Sequence, residues 1–139
     1  MYRHILLAAD GSENSVRAAK EAVKIAALNP ESKIDVVYVA SFDKVRTEVL
    51  RASSSEGLML ERRRKIVNIE QVLQQAQVDY VVTILKGEPG PEIIQYANER
   101  NVDIVVLGSR GLNSLQEMVL GSVSHKVMKR VNCPALVVK

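Results

Sequence analysis

The sequence contains no tryptophan, one phenylalanine and one cysteine among its 139 residues. Aromatic residues make up only 4%, so the core must be built from valine, isoleucine, leucine and alanine. A single cysteine, Cys133, excludes an intramolecular disulfide and predicts a reducing compartment, which we expect to be the cytoplasm. No apolar run approaches the roughly 20 residues that a membrane-spanning helix needs. The first ten residues, MYRHILLAAD, predict neither a signal peptide nor an anchor.

A strong charge of either sign is also lacking. The 19 basic and 16 acidic side chains leave a net charge of +3, which is too mild to indicate a nucleic-acid partner. The densest basic run is ERRRK at 61–65, and no aromatic residue interrupts it on which a base would stack. We interpret this run as the solvent-facing side of a helix. Neither a nucleic acid nor a membrane is therefore expected as a partner.

What the sequence does contain is an alternation of strand-like and helix-like segments. A hydrophobic content of 47% excludes disorder, and the length predicts one domain over residues 1–139. Apolar runs rich in β-branched residues predict five strands, at His4–Ala9, Ile34–Ala40, Tyr80–Leu85, Asp103–Leu107 and Ala135–Val138. Because these runs are nearly continuous rather than alternating, they are typical of parallel strands that are buried on both faces.

Helical patterns fill the gaps between the strands. The first helix is predicted over Ser12–Leu28 with Ser12 as its N-cap, and the second over Glu56–Gln77 with an apolar stripe of Ile66, Ile69, Leu73 and Ala76. The third begins at EPGPE, with Pro91 in the first helical position, and runs to about Arg100. The fourth begins near Gly121 and turns Val123, Val127 and Val131 inward.

Strictly alternating strands and helices predict an α/β fold, a parallel five-stranded sheet with helices on both faces. The expected strand order is 3-2-1-4-5, which places the topological switch point between the first and fourth strands. Ligands of such sheets bind at the carboxyl ends of the strands beside that point. Two loops leave it, ADGS at 9–12 and GSRGLNSLQEMVLGS at 108–122.

The second of these loops holds three of the seven glycines of the chain, in the arrangement G-x2-G-x9-G-S. It is neither the dinucleotide fingerprint GxGxxG nor the P-loop GxxxxGK[ST]. Gly108 and Gly111 permit positive φ and a close approach of backbone to a ligand, while Gly121–Ser122 opens a helix whose N-terminus attracts anions. Arg110 adds charge, and Ser109, Ser122 and Ser124 add hydroxyl groups. A purely structural role for the glycines, in turns and helix packing, remains an equal alternative on these grounds.

Together with ADGS, KGEPGPEIIQYA and the ending GSVSHKVMKRVNCPALVVK, this glycine arrangement resembles the universal stress protein family over residues 1–139. The resemblance implies an adenine nucleotide alpha hydrolase-like fold and, because the glycine motif is complete, the ATP-binding branch of the family. It implies a stress-response regulator with slow or no hydrolysis, and a homodimer formed through the final strand, Ala135–Lys139.

Carried onto this chain, the resemblance implies a set of ATP-binding residues. Asp10, after Ala9, lies near the ribose, and the backbone of Val39 reads the adenine edge. Asp10 is also a candidate for contact with Mg²⁺ that arrives with ATP. The glycine motif and its neighbours surround the ribose and phosphates: Gly108, Ser109, Arg110, Gly111, Gly121, Ser122, Val123 and Ser124.

Other chemistries fit the residues less well. A phospho-receiver domain needs a pair of acidic residues after the first strand and an Asp after the third, whereas this chain has Asp10 alone and the sequence LKG. His4, His125 and Cys133 lack the spacing of a zinc site, and His125 has no third partner for a hydrolytic triad. Two functional alternatives stay open: a slow ATPase or nucleotidyl-transfer enzyme that uses Asp10, and a nucleotide-independent interaction module. The segments Ser41–Gly57, a candidate flap, and Leu112–Leu120 have no assigned role.

Overall fold

The computed structural model describes residues 2–40, 55–110 and 121–139. Five strands and five helices follow one another there. The strands are β1 (His4–Ala8), β2 (Lys33–Ala40), β3 (Tyr80–Lys86), β4 (Ile104–Gly108) and β5 (Ala135–Val138). The helices are α1 (Glu13–Ala26), α2 (Ser55–Arg64), α3 (Val67–Gln75), α4 (Pro89–Glu99) and α5 (Ser122–Arg130). The predicted flap and Leu112–Leu120 lie outside the described residues, apart from the end of the flap segment at 55–57.

The strands form one parallel sheet in the order β3-β2-β1-β4-β5, which confirms the predicted fold. β1 lies in the middle, with His4 opposite Lys33 of β2 and Ile5 opposite Ile104 of β4. The side chains of β1, β2 and β4 are buried almost throughout, while those of the edge strands β3 and β5 are mostly half-buried. Burial on both faces is the physical reason for the near-continuous apolar runs.

Helices cover both faces, and each face has its own core. One core packs α1 and α3 against side chains such as Ile5, Leu7 and Val36. The other packs α4 and α5 against the opposite face, where Leu6, Val37 and Val105 lie. On α5, Val127 is fully buried and Val123 and Val131 are packed against this second core, as predicted.

The start of α1 is as the sequence predicts. The Ser12 hydroxyl accepts a hydrogen bond of 3.2 Å from the backbone N–H of Ser15, which is the geometry of an N-cap. The helix ends at Ala26, shortly before Asn29–Pro30. The cap fixes the first turn of α1 directly after the end of β1.

The predicted helix over Glu56–Gln77 is wrong as one element, because the chain breaks between α2 and α3. Lys65 and Ile66 form the break, with backbone bonds to Arg62 and Arg63 that span only three residues. This turn lets Ile66 enter the first core, where it is fully buried. An ion pair across the break, between Arg63 and Glu70 at 2.9 Å, fastens the two helices together.

Three smaller expectations are also corrected. Ala76, predicted in the apolar stripe, is exposed because α3 ends one residue before it. The run at 61–65 is not wholly solvent-facing, since Arg62 is only 3% exposed. Pro89, not Pro91, occupies the first position of α4, where a missing N–H costs no intrahelical bond.

Candidate functional site

A cavity of about 300 Å³ opens at the carboxyl edge of the sheet, where β1, β2 and β4 end. The N-terminal ends of α1, α4 and α5 surround it, because every helix that follows a parallel strand begins at that edge. This is the switch point that the strand order predicts, since β2 and β4 lie on opposite sides of β1.

Nine of the residues singled out in the sequence line this cavity. They are Ala9, Asp10, Val39, Gly108, Arg110, Gly121, Ser122, Val123 and Ser124. Ser109 does not line it: its backbone N–H donates to Val138 at 2.7 Å, and its hydroxyl accepts from the Asn14 side chain at 3.3 Å. Gly111 lies outside the described residues. The structure thus brings together two loops that are about a hundred residues apart in the chain.

Seven further lining residues were not predicted as binding residues: Ala8, Ser12, Ser15, Val37, Pro89, Ile93 and Leu107. A strand period of two would have found Val37, which shares a sheet face with Val39. Ser12 is the predicted N-cap of α1 and Ser15 lies in the first turn of that helix, so the predicted cap already placed both at this edge. Pro89 and Ile93 carry no such local signal, because only the packing of α4 brings them to the cavity.

One end of the cavity is polar and faces the start of α5. Gly121 is extended at the N-cap, and its carbonyl accepts the first intrahelical bond, 2.9 Å from the N–H of His125. The backbone N–H groups of Ser122, Val123 and Ser124 precede that bond and have no acceptor within the helix. Together with the helix dipole, these N–H groups make a site that favours an anion.

A hydrogen bond joins this helix start to the end of β4. The hydroxyl of Ser124, which is only 3% exposed, donates to the carbonyl of Gly108 at 2.5 Å. The backbone N–H of Gly121 donates to the carbonyl of Ser109 at 2.8 Å. Both ends of the glycine loop are therefore held beside each other, whatever course residues 111–120 take.

Asp10 lies on the neighbouring turn, between β1 and α1. Its carboxylate accepts a hydrogen bond of 2.9 Å from the backbone N–H of Ser12. The Ser15 hydroxyl in turn donates to the Ser12 carbonyl at 2.9 Å. Among the described lining residues, Asp10 is the one acidic side chain and Arg110 the one basic side chain.

The other end of the cavity is apolar and has an open backbone edge. Its wall includes Val37, Val39, Ile93 and Leu107. In a parallel ladder, residues two apart direct their N–H and C=O groups to the same neighbouring strand. The Val37 carbonyl accepts from the N–H of Ala9 at 3.0 Å, so the backbone of Val39 also faces towards β1. β1 has already ended there, because its last residue, Ala8, pairs with Val37.

The structure corrects one reason given for the glycines. Gly108 has no positive φ; among the described glycines, that conformation belongs to Gly11 and Gly87. Its missing side chain instead leaves room for α1, because a Cβ at Gly108 would lie 2.7 Å from the Cβ of Asn14. The packing explanation therefore holds for Gly108.

Within residues 2–40, 55–110 and 121–139, no three histidine, cysteine, aspartate or glutamate side chains come together as a metal site. Over the part of the chain that the structure describes, no helix combines the length and apolar character required to cross a bilayer.

The model of the universal stress protein family matches residues 1–139 of this sequence. The chain belongs to that family. It is 35% identical to the universal stress protein YxiE of Bacillus subtilis, over the full length of both chains. It is 31% identical to the universal stress protein MJ0577 of Methanocaldococcus jannaschii, covering all of this chain and 96% of that one. The solved structure of MJ0577 superposes with a TM-score of 0.83.

Two family structures with ligands share the fold at lower identity. A universal stress protein in complex with cAMP has a TM-score of 0.75 at 22% identity, covering 99% of this chain and 97% of that one. The universal stress protein from Archaeoglobus fulgidus in complex with dAMP has a TM-score of 0.73 at 20% identity, covering 99% and 98%. At these identities the likeness establishes the shared fold.

Proposed function

We propose that this universal stress protein binds an adenine nucleotide, ATP in the first instance, in the cavity at the carboxyl edge of the sheet. The observation that carries the proposal is the pairing of two unlike ends within one cavity. An apolar wall with the open backbone edge of Val39 suits a flat base that has donors and acceptors on its rim. The N-terminus of α5 suits phosphate. Other proteins of this fold bind cAMP and dAMP, which supports the same class of ligand here.

Different residues would contact the base, the ribose and the phosphates of the nucleotide. Val39 would meet the adenine edge with its backbone, and Asp10, beside Ala9, would meet the ribose. Phosphates would lie against the described part of the glycine motif that lines the cavity: Gly108, Arg110, Gly121, Ser122, Val123 and Ser124. Ser109, which does not line the cavity, is not among the proposed contacts. Mg²⁺ would enter with the triphosphate and would supply charge neutralisation there, with Asp10 as the protein carboxylate within the lining that suits it.

The proposed role is that of a stress-response regulator that holds its nucleotide more than it hydrolyses it. Among the described lining residues, no histidine stands beside the phosphate end to act as a general base. The alternative is a slow ATPase or nucleotidyl-transfer enzyme in which Asp10 places the metal. Steady-state phosphate release from the wild type and from Asp10→Ala separates the two, since only the enzyme loses turnover on the substitution.

Calorimetric titration tests the proposal directly. ATP, ADP and AMP are each titrated with and without Mg²⁺, and binding is expected at millimolar concentrations or below. Gly121→Val should abolish it, because a branched side chain would occupy the phosphate end of the cavity. Ala27→Val is the control, since it also adds a branched side chain but at an exposed position just after the C-terminal end of α1, outside the cavity lining. Absence of binding by the folded wild type would refute the proposal and favour a nucleotide-independent interaction module.

We also propose a homodimer formed through Ala135–Lys139. β5 is an edge strand that pairs with β4 in the described sheet, and Leu136 is 37% exposed on it. An apolar edge of this kind is usually covered by a partner. Light scattering after size-exclusion chromatography should give twice the mass of the chain, and Leu136→Asp should return it to the monomer. A monomeric wild type at micromolar concentration would refute the dimer.

A further inference from the structure

The turn that carries Asp10 accepts a hydrogen bond from a residue that lies outside the cavity and far away in sequence. The carbonyl of Gly11 accepts a hydrogen bond of 3.1 Å from the side-chain amide of Asn68, which is 57 residues away in the first turn of α3. Asn68 is half-buried and is not among the residues that line the cavity. Any influence on a ligand must therefore act through Gly11.

Both ends of the Asn68 amide are engaged. Its Nδ2 donates to Gly11, while its Oδ1 accepts from the backbone N–H of Ile69 at 2.9 Å. Because the oxygen cannot donate and the amide nitrogen cannot accept, these two partners determine which way the amide is oriented. The Asn68 side chain is thus oriented by a hydrogen bond from its own helix, and it donates a second one to the turn at Gly11.

The turn and the α2–α3 break also fit closely against each other. Gly11 has a φ of +84°, and a Cβ there would lie 2.3 Å from the carbonyl oxygen of Lys65. On the far side of the turn, the N–H of Ser12 donates to the Asp10 carboxylate at 2.9 Å. Contacts therefore run without interruption from Asn68, through the backbone of Gly11 and Ser12, to a carboxylate in the cavity wall.

We propose that Asn68 is a positioning residue for the nucleotide: by anchoring the Gly11 carbonyl, it fixes where the Asp10 carboxylate lies. This inference rests on the proposed function, because Asp10 is taken to contact the ribose. Lys65 at the α2–α3 break and Asn68 in the first turn of α3 both contact the ligand turn at Gly11.

Three variants separate the positioning role from a role in helix stability. Asn68→Asp keeps an oxygen for the Ile69 N–H but replaces the donor that faces Gly11 with an acceptor. Asn68→Ala removes both hydrogen bonds. Asn98→Ala is the matched control, because Asn98 also bridges two backbone groups, Arg130 at 3.3 Å and Asn132 at 2.9 Å, on another part of the molecule.

ATP affinity is measured by calorimetry for each variant, alone and combined with Asp10→Ala. Asn68→Asp and Asn68→Ala should each weaken binding about fivefold, the size expected for one neutral hydrogen bond, while Asn98→Ala leaves it unchanged. In the Asp10→Ala background, Asn68→Ala should cause no further loss. Wild-type affinity in Asn68→Asp, or losses that multiply in the double variant, would overturn the proposal.

A second measurement tests how firmly the turn is held in the absence of nucleotide. Hydrogen exchange of the Ser12 amide, followed by NMR in the ligand-free protein, should be about threefold faster or more in Asn68→Asp and unchanged in Asn98→Ala. Unchanged exchange in Asn68→Asp would show that the amide does not anchor the turn. A wild type that binds no ATP would refute the proposed function instead, so the two failures are distinguishable.

Discussion

A Cβ atom at Gly108 would lie 2.7 Å from the Cβ of Asn14 and 3.0 Å from its carbonyl carbon. At the first glycine of the loop, α1 therefore packs against the end of β4 with no room for a side chain. Because the nearest atoms are the backbone of Asn14 and the Cβ bonded directly to it, they cannot move aside without shifting α1. Gly108, which the sequence suggests as a ligand-binding residue, is therefore also required for the packing of α1 against β4.

We therefore expect Gly108→Ala to lower the free energy of unfolding by about 1 to 3 kcal/mol, the usual range for overpacking. Gly90→Ala is the matched control, since its Cβ would meet the Cδ of the flexible Lys126 side chain at 3.2 Å. That variant should be unchanged or slightly more stable, because alanine restricts the unfolded chain. Urea unfolding followed by circular dichroism measures both, and equal stability of the two variants would contradict the packing argument.

The buried carboxylate of Asp35 on β2 is expected to contribute strongly to the free energy of unfolding. Asp35 is only 4% exposed, and accepts hydrogen bonds from the hydroxyls of Thr83, at 2.7 Å, and Tyr96. Asp35→Ala leaves two hydroxyls without their acceptor, so we expect a loss of about 2 to 4 kcal/mol in unfolding free energy. Tyr96→Phe, which removes one donor, should cost less. Additive losses in the double variant would show that the hydroxyl and the carboxylate are not coupled.

The raised pKa of Tyr96 should determine part of the loss of stability at alkaline pH. Burial raises the pKa of its phenol above the ordinary value of 10.0, and the hydrogen bond to Asp35 raises it further. The folded protein therefore favours the neutral phenol. This contribution is complete below pH 10 and is lost as the pH rises through the raised pKa. Urea midpoints between pH 9 and 12 should fall more steeply for the wild type than for Tyr96→Phe, and identical slopes would contradict the prediction.

The lowered pKa of Asp103 should cause a loss of stability at acidic pH. Its carboxylate accepts hydrogen bonds from the backbone N–H groups of His4, at 2.8 Å, and Arg3, at 3.0 Å. The bond from His4 contributes most to lowering the pKa of Asp103 below its ordinary value of 3.8. The stability it contributes is present above that value and is lost as the pH falls through the lowered pKa.

The measurement is a pair of urea titrations between pH 2 and 6, on the wild type and on Asp103→Asn. The asparagine variant keeps an acceptor but cannot lose a charge, so its stability should depend less on pH below about 4. NMR titration of the Asp103 carboxyl checks the pKa itself. A value at or above 3.8 in the folded protein would contradict the prediction.

Much of the architecture could be predicted because its signals are local. Five apolar runs, the Ser12 cap and the alternation of elements predict a parallel sheet, and the expected order 3-2-1-4-5 is the order observed. The same reasoning places a cavity where the 9–12 and 108–122 loops leave the switch point, and eight of the predicted site residues on or directly after those loops line it. The family resemblance, rather than a local signal, implied the ninth, Val39. Apolar runs and helix caps are patterns among residues within a few positions of one another, so they can be recognised without the structure.

Contacts between elements that are distant in the chain complete that cavity and hold its walls in place. Pro89 and Ile93 reach it through the packing of α4, and the backbone edge of Val39 is open because β1 ends before it. The break at Ile66 follows from burying that side chain, which an uninterrupted helical pattern does not reveal. Asn68 meets Gly11 across 57 residues of chain, and no periodicity encodes such a pair. The reason is physical: contacts between distant segments depend on how whole elements pack, and local preferences leave that packing undetermined.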